Sequence, residues 1–372
     1  MAGRCRTAGV FLAFFLNLAW MIGAIAAGGA PLYHVGETVV IFHPAAIRDW
    51  RGAETQGLVT RIWYPANSAI AETAHDIGPP GHPLFLGHPI AVDARLSSVQ
   101  EKYPLLLLSH GTGGSADSLD WLGASLAGEG YIVAGVNHPG NNALEPLTRE
   151  GFMLWWERAT DLSEALDGIL ADPALGSHID RNRIGAIGFS LGGYTVLELA
   201  GARTDLQDFA DFCRSSAADT VCHPPEMDAL KGTLNTSAPL SPEMRSSLAR
   251  AGASYQDKRI EAVFAIAPAL GEAFDPASFA KIGIPIWLVG GTSDVTVPPG
   301  TNITRIAGFL PKANVTMLPG AAHYTFLDIC VPAMADRLTL LCKDNPRIDR
   351  DAVHAQTVEL AHIFFAKALG GR

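Results

Sequence analysis

The sequence predicts an α/β fold, a mostly parallel central sheet with helices on both faces, interrupted by one inserted helical segment. Three observations carry this expectation. Short apolar runs alternate with helical patterns from about residue 58 onward. One run, Pro104-Leu105-Leu106-Leu107-Leu108-Ser109, is apolar without alternation, as a strand buried on both faces must be. A Gly-rich turn around Ser190 joins an apolar run directly to a helical pattern.

The elements follow in order. Strands are expected at Leu58–Tyr64, 104–109, 131–136, Ile184–Gly188, Ala262–Ile266, Ile284–Val289 and Asn314–Leu318. Helices are expected at Ser115–Ala127, ended by Gly128 and Gly130, and at Phe152–Leu170, Leu191–Ala200, Asn302–Phe309 and Ala352–Leu369. The stretch 203–258 breaks the alternation with polar and acidic residues, two Cys and Pro224-Pro225. It is too long for an ordinary connection. It is expected to form an inserted cap or lid subdomain, the alternative being a surface decoration.

The 372 residues are 48% hydrophobic and 17% charged, which excludes a disordered or collagenous chain. The net charge of −10 and the lack of a dense Lys/Arg run exclude a nucleic-acid partner. Arg4 and Arg6 precede an uncharged stretch from Thr7 to Gly36, with Val10–Leu16 strongly apolar and Ala24-Ile25-Ala26 as a cleavage site. Residues 1–26 are therefore expected to be a signal peptide and 27–372 the exported, periplasmic or secreted domain. An uncleaved N-terminal membrane anchor is the alternative. Beyond Cys5, the four cysteines Cys213, Cys222, Cys330 and Cys342 point to two disulfides. Three connectivities exist, and the local pairs Cys213–Cys222 and Cys330–Cys342 are expected because each closes a short loop. Zinc is not expected, for no CxxC occurs and His223 is the only neighbouring His.

The chemistry-bearing residues lie at strand ends. Gly188-Phe189-Ser190-Leu191-Gly192-Gly193 follows a strand and opens a helix. The turn is so sharp that side chains two before and two after the serine would collide, and it presents the Ser190 hydroxyl outward. His110-Gly111-Thr112-Gly113-Gly114 follows the Leu-rich strand and is expected to supply the Thr112 amide to an oxyanion hole, with the Leu191 amide as second donor. Gly290-Gly291-Thr292-Ser293-Asp294 brings an acid after the next strand but one, and Gly320-Ala321-Ala322-His323 brings a base after the last. Nucleophile, acid and base thus run Ser190, Asp294, His323. Other acids, such as Asp275 and Asp328, read as surface or cap residues, and His354 as structural. Gly111 and Gly113 allow close approach to a carbonyl. His110 and His138 are pocket candidates, with a structural role in ordering the loop as the blander account of His110.

These residues resemble an α/β hydrolase. Within that superfamily, the chain resembles the platelet-activating factor acetylhydrolase and dienelactone hydrolase-like group between about Thr60 and Phe326. The resemblance rests on Arg61-Ile62-Trp63-Tyr64-Pro65, Ser109–Gly113, Gly130–Ala134 leading to Asn137-His138, Trp156-Glu157-Arg158 with Asp161, the Ser190 turn and His323-Tyr324-Thr325-Phe326. It implies hydrolysis of short or oxidised acyl esters without cofactor or metal. Dienelactone hydrolases proper use a cysteine nucleophile, whereas position 190 is Ser, and the stretch 203–258 has no counterpart in the group.

The expected function is a serine carboxylester hydrolase acting through an acyl-enzyme on short-chain or lipid-derived esters. A lipase, polyester hydrolase, amidase or peptidase would use the same triad, and a non-catalytic binding module could use the same fold. The expected partner is a small-molecule or lipid ester. Membrane contact is expected only through an uncleaved N-terminus. The sequence is silent on oligomeric state.

Overall fold

The computed structural model describes residues 32–67, 69–79, 81–92, 94–229 and 239–370. The segment read as a signal peptide lies outside these residues. Among the described residues there are ten strands: β1 His34–Phe42, β2 Leu58–Ala66, β3 Asp76–Ile77, β4 Phe85–Leu86, β5 Tyr103–Ser109, β6 Ile132–Val136, β7 Ile179–Phe189, β8 Ala262–Ile266, β9 Ile286–Gly291 and β10 Asn314–Leu318. The α-helices are α1 Asp120–Gly128, α2 Arg149–Met153, α3 Glu157–Ala171, α4 Leu191–Ala200, α5 Leu206–Arg214, α6 Glu226–Ala229, α7 Pro242–Arg250, α8 Ile303–Phe309, α9 Thr339–Cys342 and α10 Arg350–Leu369.

Eight strands form one sheet in the order β1-β2-β6-β5-β7-β8-β9-β10. The pairs β1–β2 and β2–β6 are antiparallel, and the pairs from β6 across to β10 are parallel. Strand β5 sits inside the parallel part and its four leucines alternate between faces. Leu105 and Leu107 pack with α3 and α4, against Leu162, Leu166 and Leu197. Leu106 and Leu108 pack with α1 and α10, against Leu122, Leu126 and Phe365. All four are fully buried, which is why no polar alternation marks this strand.

Several elements depart from the sequence expectation; the helix expected at Ser115–Ala127, for one, is a 3-10 turn over Ala116–Leu119 followed by α1. Strand β1 pairs along β2, yet it was not anticipated, because Gly36, Glu37 and Thr38 interrupt its apolar residues and Val39 and Ile41 remain exposed on this edge strand. The helix expected over 152–170 is instead two helices, α2 and α3, broken at 154–156. The break lets Leu154 and Trp156 turn inward onto Met244 and Ala251 of the insertion. The Trp156 indole there donates to Ser247 Oγ at 3.0 Å.

The insertion comprises α5, α6, α7 and short turns. Cys213 is bonded to Cys222 within it, and Cys330 to Cys342 beyond the last strand. Two disulfides fit folding in an oxidising compartment. No helix among the described residues is long and apolar enough to cross a membrane.

Candidate active site

Ser190 stands between the C-terminal end of β7 and the start of α4, with φ 57° and ψ −119°. A non-Gly residue holds a positive φ only where the surroundings enforce it. Here the Ser190 amide donates to the Ile266 carbonyl at 2.9 Å, and its carbonyl accepts from the Ala269 amide at 3.1 Å. The flanking glycines are a steric necessity. A Cβ on Gly188 would stand 2.1 Å from the Gly192 carbonyl oxygen, and one on Gly192 would stand 1.9 Å from the Ser109 carbonyl oxygen of β5. The turn is thus packed against the neighbouring strand as well as on itself.

Asp294 follows β9 and His323 follows β10, so the parallel sheet brings both to the edge where Ser190 lies. His323 Nδ1 is 2.7 Å from Asp294 Oδ2, and His323 Nε2 is 2.9 Å from Ser190 Oγ. A carboxylate only accepts, so Nδ1 carries the proton and Nε2 is left to accept from the serine hydroxyl. The second oxygen of Asp294 accepts from the Thr296 and Val297 amides at 3.0 and 2.7 Å, which fixes the carboxylate. All three side chains are buried.

Two cavities open on Ser190 and His323. One, of about 120 Å³, runs under the insertion and is lined by Thr112, Leu191, Trp155, Phe209, Val221, Cys222 and Leu270 among others. The other, of about 600 Å³, follows the loop Gly111–Ser115 toward Phe85, Tyr324 and Leu341. Gly111 and Gly113 both line this larger groove. A Cβ on Gly111 would lie 3.2 Å from the Ser190 Cβ, so any side chain there would press on the serine.

His110 and His138 line neither cavity, which corrects the expectation that they border the pocket. Both are fully buried behind the loop in a polar network. His138 Nδ1 lies 2.8 Å from Asp161 Oδ2 and its Nε2 2.9 Å from Ser109 Oγ. His110 Nδ1 lies 2.7 Å from the Gly111 carbonyl, and its Nε2 accepts from the His138 amide at 3.2 Å. Burial, and after it the Arg158 charge, lowers the His138 pKa to about 3 and that of His110 well below the usual imidazole value. Burial alone would raise the Asp161 carboxyl, but Arg51 and Arg48 outweigh it and hold the group far below the carboxylate range. The Arg51 and Arg48 guanidiniums reach it at 2.6 and 2.5 Å. Burial outweighs the opposing pull of Asp161 on each imidazole, so both rings stay neutral scaffolding.

Sequence reasoning missed Asn141, whose Oδ1 accepts from the Gly113 amide at 2.7 Å, and Arg51, 110 residues from its partner Asp161. It also missed Glu226, which accepts from the Tyr324 hydroxyl at 2.9 Å beside His323. None of them belongs to a local motif. The remaining candidates are structural. Asp328 is buried and accepts from the Asp120 and Trp121 amides that begin α1. Asp275 accepts from the Ala277 amide and caps its turn. His354 stacks on Trp121 with ring centroids 3.8 Å apart. The one group of metal-ligand types among the described residues is Glu37, His75 and Asp120, with ligand atoms within 4.8 Å of one another. Arg61 already pairs with Glu37, and Asp120 accepts from Trp63 Nε1 and the His88 amide.

The chain is 37% identical over 93 residues to Lipase 1 of Moraxella sp. (strain TA144), covering 24% of this chain and 25% of that one. It is 33% identical over 107 residues to cutinase est2 of Thermobifida alba, covering 28% and 32%. It is 28% identical over 138 residues to the platelet-activating factor acetylhydrolase of Cavia porcellus, covering 26% and 32%. The matches thus span a quarter to a third of these relatives' lengths. A solved structure of a ferulic acid esterase from Streptomyces cinnamoneus shares the fold, with a TM-score of 0.60 over 94% of this chain and 93% of that one at 20% identity. Residues 105–335, well over half of the chain, match the alpha/beta hydrolase family model, and the protein is a member of that family.

Proposed function

We propose that the protein is a serine carboxylester hydrolase acting through an acyl-enzyme on short-chain or lipid-derived esters. The observation that carries this is the hydrogen-bonded series Ser190–His323–Asp294 opening onto two largely apolar cavities. In this reading His323 Nε2 takes the Ser190 proton as Oγ attacks the ester carbonyl carbon. The Thr112 and Leu191 amides, with the N-terminus of α4, stabilise the oxyanion. The intermediate collapses, the carbon–oxygen bond to the alcohol breaks, and His323 returns the proton to that alcohol. A water, deprotonated by His323, then attacks the acyl group and frees Ser190. Asp294 holds the ring and its charge throughout.

The relatives named as lipase, cutinase and acetylhydrolase support the ester class. The smaller cavity supports a short acyl chain, and its wall from the insertion supports a lid-like role for 203–258. The two disulfides support export, with the segment 1–26 as the signal that directs it.

The test is hydrolysis of p-nitrophenyl esters from acetate to palmitate by residues 27–372, with Ser190→Ala as control. Rates that fall steeply with chain length, and drop by about 10⁴-fold or more in the variant, are expected. Activity retained in Ser190→Ala, or absent from the folded protein at every length, would overturn the proposal.

A further inference from the structure

The two cavities that open on Ser190 share one carboxylate; the larger groove also borders Asp117, whose charge is matched by its ion pair with Arg61. Glu226, the first residue of α6 in the insertion, lines the small cavity and the larger groove alike. Its side chain is partly buried. The Tyr324 hydroxyl donates to its Oε1 at 2.9 Å, next to His323. Its Cγ lies 3.9 Å from where a Cβ on Gly113 would stand, so it also overhangs the loop that carries Thr112. Among the described residues, no Lys or Arg lines either cavity. Burial, and then Glu226, push the Tyr324 phenol pKa up, so this partner stays a neutral donor that holds the carboxylate in place without cancelling its charge.

We propose that Glu226 sets the charge selectivity of this active site, admitting esters that are neutral or cationic beside the scissile bond and excluding those that carry a carboxylate or phosphate there. The proposal rests on the ester-hydrolase reading and adds a substrate class to it. The physical reason is the dielectric. A unit charge brought near Glu226 in a cleft walled by apolar side chains is screened far less than in water, so repulsion or attraction survives at several ångströms. The orientation of the substrate does not matter, because whichever cavity takes the acyl group, the alcohol enters the other, and Glu226 faces both.

The experiment measures kcat/KM for three butyrate esters by titrating the released acid. They are the esters of choline, of 3,3-dimethylbutanol (its uncharged isostere) and of 3-hydroxypropanoate. For the unaltered enzyme, choline butyrate is expected first and the anionic ester last. In Glu226→Gln the ratio of the choline to the 3-hydroxypropanoate ester is expected to fall at least about tenfold, whatever happens to the uncharged ester. Glu226→Asp is expected to keep most of that ratio. A ratio unchanged in a Glu226→Gln enzyme that still hydrolyses the uncharged ester overturns the proposal alone. A folded, unaltered protein that hydrolyses none of these esters and no p-nitrophenyl ester overturns the ester-hydrolase reading, and this proposal with it.

Discussion

Arg158, fully buried on α3, donates through Nη2 to the backbone carbonyl of His110, 48 residues away. That carbonyl belongs to the loop whose next residues, Gly111 and Thr112, border Ser190. Burial lowers the Arg158 pKa to about 9, and Asp161 pulls it back upward, so the guanidinium remains charged at neutral pH. A charged donor buried at one end of the loop is a clamp, because a charge-assisted hydrogen bond is among the stronger ones and is costly to leave unmade.

Arg158 is therefore expected to be a positioning residue. Arg158→Met should lower kcat by about tenfold to a hundredfold, less than the roughly hundredfold to thousandfold cost of losing an oxyanion donor outright. KM should change much less. A purely structural role would lower Tm while leaving kcat intact at temperatures where the variant is folded, and steady-state kinetics beside a thermal melt would distinguish the two. Arg158→Lys keeps the charge but loses the planar fork, and should fall between them.

The buried histidines should make the protein acid-labile. Burial, with a further contribution from Arg350, lowers the His354 pKa from 6.5 to about 4, although Asp344 opposes the shift. Its folded pKa lies below the unfolded one, so the unfolded chain binds more protons between these values. Stability is then present above about pH 6.5 and lost as pH falls toward 4, by up to roughly 1.4 kcal/mol per pH unit for such a group. His138, with a pKa of about 3, extends the same loss to lower pH. Tm measured from pH 8 to pH 4 should fall below pH 6.5, and His354→Asn should flatten the upper part of that fall. A slope identical in the variant would remove His354 from the account.

The bond Cys213–Cys222 closes a short loop, and Cys222 lines the small cavity. Replacing both cysteines by Ser should cost about 2–3 kcal/mol of stability, as expected for a loop of this size. The cavity wall formed by Val221 and Cys222 should loosen as well, so the preference for short over long p-nitrophenyl esters should weaken. Chemical denaturation measures the first effect, and the chain-length profile measures the second. An unaltered profile would show that the wall stands without the bond.

Much of this site was legible because its signals are local. A strand, a Gly-flanked serine and a helix in succession require the Ser190 turn, and the collisions at Gly188 and Gly192 give its steric cause. Parallel strands that each end at the same edge then bring Asp294 and His323 to that serine, so their order along the chain suffices to nominate them. The apolar run of β5 identified its buried position for the same reason: composition answers directly to solvent.

Other features depend on contacts that form only when distant segments pack. His110 and His138 stand at strand ends, where a functional histidine is expected, and chain position could not tell which way they turn. The packing of α3 decided that, because it brought Asp161 to the His138 ring and Arg158 to the His110 backbone carbonyl behind the cavity. The insertion's composition marked it as foreign to the alternation but not what it covers. Only the folded chain sets Glu226 beside Tyr324, 98 residues away. The sequence by itself thus determined the fold class and the nucleophile, acid and base candidates, since backbone sterics and solvent exclusion act on neighbouring residues. Tertiary structure decided which polar groups face the cavities and which lie behind them, because hydrogen bonds and ion pairs act through space on whatever the fold brings within reach.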